Sequence, residues 1–156
     1  MMLCSLAVQA KELTEVVEVS GKNKSQLYSS AREWFTEIFN SAEDVLQMDN
    51  PTLGTLIGKV KGSIVAYYDD VSIDSPYNFT IKISIKDGKY KYTIKDIVVV
   101  TERGGKSYED FKAQSQSMEN EMAIKMYKGI LNSIDKNMEG LITNLKKKMK
   151  SVEDDW

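Results

Sequence analysis

Residues Thr80–Lys86 and Lys89–Lys95 alternate apolar and polar side chains on either side of the dipeptide Asp87-Gly88. Alternation with a period of two marks a half-buried strand. Asp-Gly is the preferred chemistry of a two-residue type I′ turn. A turn of that length sets the register on paper. Lys86 meets Lys89, Ile85 meets Tyr90, Ser84 meets Lys91, Ile83 meets Tyr92, Lys82 meets Thr93 and Ile81 meets Ile94. Every apolar residue finds an apolar partner, and a slip of one residue would destroy the match. The chain is therefore committed to an antiparallel sheet with one apolar and one polar face. The polar face carries Lys82, Lys86, Lys89, Lys91 and Lys95.

The remaining elements are read around this hairpin. Leu13–Val19 is valine-rich and predicts a first strand. After the Ser20–Lys24 turn, Asn23 or Ser25 can cap a helix. Its apolar positions Leu27, Tyr28, Ala31, Trp34, Phe35, Ile38 and Phe39 form one continuous stripe that ends near Asn40. Asp44–Met48 is a short strand candidate, and Asp49–Thr52 is a turn stiffened by Pro51. Leu53–Tyr68 reads as extended, and its Gly54, Gly58 and Gly62 suggest bends or close helix packing. Asp69–Pro76 reads as a polar loop. The second hairpin strand continues through Ile97–Val100 and is expected to stop at Gly104-Gly105. Tyr108 and Phe111 start a short helix, and a longer one spans about Met118 to Lys150. Leu131, Ile134, Met138, Leu141 and Leu145 make a narrow seam along it. Gly129 and Gly140 each weaken that helix by about 1 kcal/mol relative to alanine. Lys146, Lys147, Lys148 and Lys150 complement the dipole at its end. The tail from Glu153 to Trp156 is expected to fray. Together these elements predict an α+β fold: an antiparallel sheet with helices packed on one face and a long C-terminal helix.

Composition narrows the function. With 156 residues, 42% hydrophobic and 28% charged, the chain is sized for one domain that buries about 68–70% of its unfolded surface. Residues 11–156 are expected to be that domain, with a core at about 13–100 and a helical part at about 107–150. The sequence has no histidine and one cysteine, Cys4. Most zinc sites, serine and cysteine triads, structural disulfides and imidazole acid–base chemistry are thereby excluded. A net charge of -2 argues against a dedicated nucleic-acid binder. Met1–Ala10 is apolar and uncharged, with Val8 and Ala10 placed as in a signal-peptidase site before Lys11. It reads as the end of a secretory signal whose charged start lies further upstream. Cleavage there would remove Cys4. No later run approaches the roughly 20 apolar residues of a membrane span.

Several segments taken in order carry a family resemblance. They are Leu27-Tyr28 with Arg32-Glu33-Trp34-Phe35, then Val45-Leu46-Gln47-Met48-Asp49, then Leu56-Ile57-Gly58-Lys59, then Ile83 and Ile85 to Ile94. This order resembles a family of exported bacterial proteins of unknown function described as having a TATA-binding-protein-like fold. The resemblance covers roughly residues 13 to 100. Lys91 departs from it, because the family often has an arginine there; the change keeps the charge and loses the planar fork. The resemblance implies a fold and an envelope location, and it carries no catalytic residues.

Five features bear on function. The five lysines above can meet an anionic partner or serve as a solvated face that deters edge-to-edge association. Tyr90 and Tyr92 point to the opposite face, so no base-stacking platform is expected. Asp69, Asp70 and Asp74 offer oxygen ligands but lack the spacing and central glycine of a calcium loop. Carboxylate pairs such as Asp44 with Asp49, or Asp96 with Glu102, would need a defined separation across a cleft to act on a glycoside. Met118, Met122, Met126, Met138 and Met149 can form core or a partner surface. Asn78-Phe79-Thr80 matches a glycosylation sequon, expected to be coincidental. The expected function is a non-enzymatic binding or scaffolding module of the bacterial cell envelope, periplasmic or outer-envelope associated, with a protein or glycan partner. No metal and no cofactor are expected. One alternative is a carrier with an apolar pocket between sheet and helices, lined by Trp34, Phe35 and Tyr92. The other is a nucleic-acid-binding domain, suggested by the fold name alone.

Overall fold

The structure is a computed structural model that describes residues 11–39 and 42–151. The signal-like segment with Cys4 and the expected frayed tail lie outside the described residues. In chain order the elements are β1 (Leu13–Glu18), α1 (Lys24–Phe39), α2 (Ala42–Val45), β2 (Leu46–Asn50), β3 (Thr55–Tyr68), β4 (Val71–Lys86), β5 (Lys89–Thr101), β6 (Gly104–Ser107), α3 (Tyr108–Ser117) and α4 (Glu121–Lys150). The class is α+β. The six strands form one antiparallel sheet in the order β1-β5-β4-β3-β2, with β6 on β5. The long α4 runs unbroken through Gly129 and Gly140.

The hairpin register is the expected one, pair for pair, from Lys86↔Lys89 to Ile81↔Ile94. Beyond it the β4–β5 ladder shifts between Thr80↔Lys95 and Asn78↔Val98. Asp96 takes a φ of 54° at this bulge, a left-handed conformation that Asp tolerates better than most residues. The extra residue resets the alternation. Ile97 and Val99, which strict alternation from Ile94 would turn outward, are buried instead.

Three expectations are corrected. Asp44 does not begin a strand: residues 42–45 make one helical turn, with Glu43 and Asp44 in its first turn, and β2 starts at Leu46. Acidic side chains at that position favour the helix N-terminus. The stretch 69–76 is not a loop. The turn is only Asp69-Asp70, and β4 pairs with β3 from Tyr68↔Val71 onward. Pro76 is tolerated because the β5 ladder begins at Tyr77↔Val99, so its missing N–H breaks no bond. Finally, Gly104-Gly105 does not end the sheet but starts β6, which returns along Val98–Thr101.

The helices cover one sheet face. α1 buries Leu27, Tyr28, Ala31, Trp34 and Phe35, as its stripe requires. It opens with a reciprocal cap: Gln26 N donates to Asn23 Oδ1, and Asn23 N donates to Gln26 Oε1, both at 2.9 Å. α4 buries Leu131, Ile134, Met138 and Leu145 of the expected seam, together with Ile130 and Met149. Trp34 donates its indole N–H to Asn144 at 2.9 Å and so ties α1 to α4. Gly58 explains its presence in a strand. A Cβ there would lie 2.7 Å from Phe35 and 3.0 Å from Val45, so the helical layer sits directly on β3.

Candidate functional site

The sheet's other face is open. Its side chains alternate with the buried ones along each strand. Lys82 and Lys86 of β4 and Lys89, Lys91 and Lys95 of β5 all lie on it and are exposed. The β3 register adds two more cations. Lys59 stands opposite Thr80, and Thr80 stands opposite Lys95. Lys61 stands opposite Asn78. Neighbouring strands are about 4.8 Å apart, so Lys59 and Lys95 are separated by roughly 10 Å across Thr80. Seven lysines from three adjacent strands therefore share one surface. Among the described residues none of the seven is in an ion pair or a side-chain hydrogen bond. The carboxylate bordering them on β1 is Glu18, opposite Lys89 at the sheet edge. Lys59 and Lys61 alternate with Gly58, Val60 and Gly62 in the sequence, so their shared face was visible there. That this face is the hairpin's open one required the register.

Carboxylates on the covered side are engaged in ties between elements. Asp49 of β2 accepts the Tyr28 hydroxyl and, at 2.8 Å, the Arg32 Nε–H. Burial pushes the Asp49 carboxyl up, but these two donors pull it further the other way and hold it below the usual carboxylate range. Glu15 of β1 faces the helices. It accepts Tyr92 Oη–H and pairs with Lys146, each at 2.7 Å. Those two hydrogen bonds, Lys146 first, hold it low. Asp135 of α4 accepts the Tyr108 hydroxyl at 2.8 Å, and Lys11 stands 3.7 Å away. Each group tethers a helix to a strand or to another helix.

The other expected constellations are dispersed or occupied. Asp69 and Asp70 sit in the turn, Asp74 sits on β4, and Asp69 pairs with Lys125 at 3.5 Å. Among the described residues no group of three or more Asp, Glu, Cys or His side chains comes together to hold a metal. Asp49 of the first carboxylate pair is held by Tyr28 and Arg32. Asp96 lies in the bulge and Glu102 in the β5–β6 turn. Met138 and Met149 are core, while Met122 is exposed. No described helix is long and apolar enough to cross a membrane. Trp34 and Phe35 are fully buried and Tyr92 nearly so. The clefts are lined by other residues. One of about 770 Å³ lies beside the β5–β6 turn, α3 and α4, one of about 570 Å³ between the start of α1 and the β2–β3 turn, and one of about 540 Å³ at the hairpin end of the open face. One of about 370 Å³ lies between sheet and helices, lined by Phe39, Val45, Phe79 and Leu141 and not by Trp34, Phe35 or Tyr92.

Comparison with known proteins places this architecture. A family model described as a domain of unknown function (DUF4468) with TBP-like fold matches residues 13–99. No curated protein matches the chain. Among solved structures, a DUF4468 family protein from Bacteroides ovatus superposes with a TM-score of 0.71 at 13% identity, covering 92% of this chain and 88% of that one. A TBP-like protein from Parabacteroides distasonis superposes with a TM-score of 0.69 at 18% identity, covering 91% of this chain and 94% of that one. The chain belongs to the DUF4468 family and has its TBP-like fold.

Proposed function

We propose that this DUF4468 protein is a non-enzymatic binding module of the bacterial cell envelope that recognises an anionic partner, glycan or protein, through the open face of its sheet. The observation that carries the reading is the concentration of Lys59, Lys61, Lys82, Lys86, Lys89, Lys91 and Lys95 on one uncovered surface of a chain whose net charge is -2. The carboxylates of Glu18, opposite Lys89, of Asp87 in the hairpin turn and of Asp74 at the far end of β4 border that surface. The lysines outnumber them, and such a local excess of positive charge focuses a field on one side of the molecule and attracts anions to it. Unpaired ammonium groups remain available to a ligand, which paired ones are not.

The absence of histidine from the sequence, and the engagement of Asp49, Glu15 and Asp135 in structural ties, support a role without catalysis. The envelope assignment rests on the signal-like Met1–Ala10 segment. Among the described residues no arginine or aromatic side chain interleaves with the seven lysines, and Tyr67, exposed on the same face, lies beyond Lys61 at the far end of β3; this disfavours nucleic-acid recognition.

The experiment is retention on a polyanion matrix such as heparin as a function of salt, for the native chain and for a Lys82→Glu, Lys86→Glu, Lys91→Glu triple variant. Native retention should fall steeply with ionic strength, and the variant should elute without binding. Equal retention of the two would make the face ordinary solvated surface. N-terminal sequencing of the protein from cell fractions tests the location: a chain starting at Lys11 outside the cytoplasm is expected, and one starting at Met1 in the cytoplasm would overturn the envelope assignment.

A further inference from the structure

At its hairpin end the lysine face runs into the cleft of about 540 Å³. Four separate segments build it. Val16 comes from β1, Lys24 from the start of α1, Leu53 from the β2–β3 turn, and Lys86, Lys89 and Lys91 from the hairpin. The positions are held by backbone. Val16 stands opposite Lys91 in the β1–β5 ladder. The β2–β3 turn is pinned when Ile85 N donates to Gly54 O at 2.7 Å. Gly54 has a φ of 70°, and a Cβ there would lie 2.5 Å from the Ile85 oxygen, so only glycine brings Leu53 this close to Lys86.

Two properties coincide in the cleft. The first is an excess of positive charge: four lysines line it against one carboxylate, Asp87. Asp87 already accepts the Lys24 amide, and the Lys24 ammonium already donates to Thr52 O. Among the described residues the ammonium groups of Lys86, Lys89 and Lys91 have no ion-pair or hydrogen-bond partner. The second is exposed apolar surface, with Val16 56% and Leu53 64% accessible. A hydrophilic polyanion would satisfy the lysines and leave Val16 and Leu53 wet. A neutral apolar ligand would cover those two and ignore the charge. We propose that the cleft binds an anionic amphiphile, with its phosphate or carboxylate head on the lysines and its apolar chain against Val16 and Leu53. The volume lies within the roughly 300–1,000 Å³ usual for ligand pockets. The proposal rests on the reading of the lysine face as an anion-binding surface and adds an apolar specificity to it.

Titration of the full chain with dodecyl phosphate, below its micellar concentration, tests this. Dodecyl maltoside supplies the same chain without charge, and inorganic phosphate supplies the head without the chain. Dodecyl phosphate should bind at one site, at least about tenfold tighter than either control. Leu53→Glu and Val16→Glu, both at exposed positions that leave the core intact, should each weaken it by about tenfold or more. Lys86→Gln with Lys89→Gln should abolish the preference over dodecyl maltoside. Equal binding of dodecyl maltoside, or unchanged binding by the Leu53→Glu chain, would overturn the proposal. Sedimentation with phosphatidylglycerol vesicles separates the sources: binding to vesicles as well assigns a membrane lipid, and binding to the soluble ligand alone assigns a free one. Lys59→Glu with Lys95→Glu, outside the cleft, should reduce heparin retention and leave dodecyl phosphate binding unchanged. Normal heparin retention with no dodecyl phosphate binding would sink the cleft and spare the face; loss of both in the native chain would sink both.

Discussion

The carboxylate of Asp87 accepts a hydrogen bond from the backbone amide of Lys24 at 2.7 Å, so the hairpin turn satisfies one of the free amides at the start of α1. The same turn is held twice more. Gly88 N donates to Lys22 O, and Val19 N donates to Gly88 O, both at 2.8 Å. A two-residue turn thus joins the hairpin, β1 and α1. Asp87→Ala should cost about 1 kcal/mol, as loss of a helix-capping side chain does, and lower the melting temperature by about 2–4 °C. Asp87→Asn keeps an acceptor and should recover most of the loss. Identical melting of the two variants would show that the cap contributes nothing.

Glycines in this chain answer to different constraints, and substitution should separate them. Gly58→Ala places a methyl group 2.7 Å from the Phe35 ring and should destabilise by about 1–3 kcal/mol through overpacking. Gly88→Ala meets no atom within 4 Å but sits at a φ of 74°, so it should cost about 1–2 kcal/mol from backbone strain alone. Gly140 also has open space around it, on the exposed side of α4. Gly140→Ala should stabilise by about 1 kcal/mol. Urea midpoints measure all three, and a stabilising Gly58→Ala would contradict the packing of α1 on β3.

Tyr90 buries its hydroxyl without a hydrogen-bond partner among the described residues. Replacing it by phenylalanine removes an unsatisfied group and should stabilise the protein at neutral pH by about 1 kcal/mol. Burial, with a smaller contribution from Glu15, pushes the Tyr90 phenol up to about 12 from 10.0. The folded state therefore holds this proton more tightly than the unfolded chain. Its contribution to stability is complete below pH 10 and lost as pH rises toward 12. Tyr77, also pushed by burial to about 12, adds to the same alkaline loss. Guanidinium unfolding at pH 7 and pH 11 should show the Tyr90→Phe chain more stable at both and less sensitive to the change.

At the acid end the sign reverses. Asp49 is held below its ordinary value of 3.8 by Tyr28 and Arg32 in spite of burial, so its contribution is present above that pH and lost as pH falls through the lower folded value. Asp49→Asn should reduce stability at neutral pH and flatten the decline below pH 4. An unchanged acid limb would place the acid sensitivity elsewhere, with Glu15 the next residue to change.

What was legible in the chain was local. Ile81–Ile94 announced its register because a two-residue turn leaves only one way to pair alternating residues. Leu27–Phe39 announced its buried stripe because the helical period repeats within four residues. The strand at Val71–Pro76 was concealed, since Ser72, Asp74, Ser75 and Pro76 have the composition of a loop. It persists because β3 supplies a partner along its whole length and no β5 residue needs the Pro76 amide. The role of Glu15 was concealed for a similar reason. Glu15 stays solvent-exposed on the edge strand, and its ties to Lys146 and Tyr92 come from residues distant in sequence, so local pattern does not show them.

By itself the sequence determined the hairpin, the two amphipathic helices, the α+β class and a sheet with five lysines on its polar side. The tertiary structure decided that β1 pairs with β5, and that Lys59 and Lys61 join those lysines. It also decided that Val16 and Leu53 meet the same lysines at one cleft. Periodicity and turn chemistry act between residues close in sequence and can be read directly. Pairing between distant strands depends on which partner satisfies the most backbone groups and buries the most apolar surface, and that is settled only when the whole chain has folded.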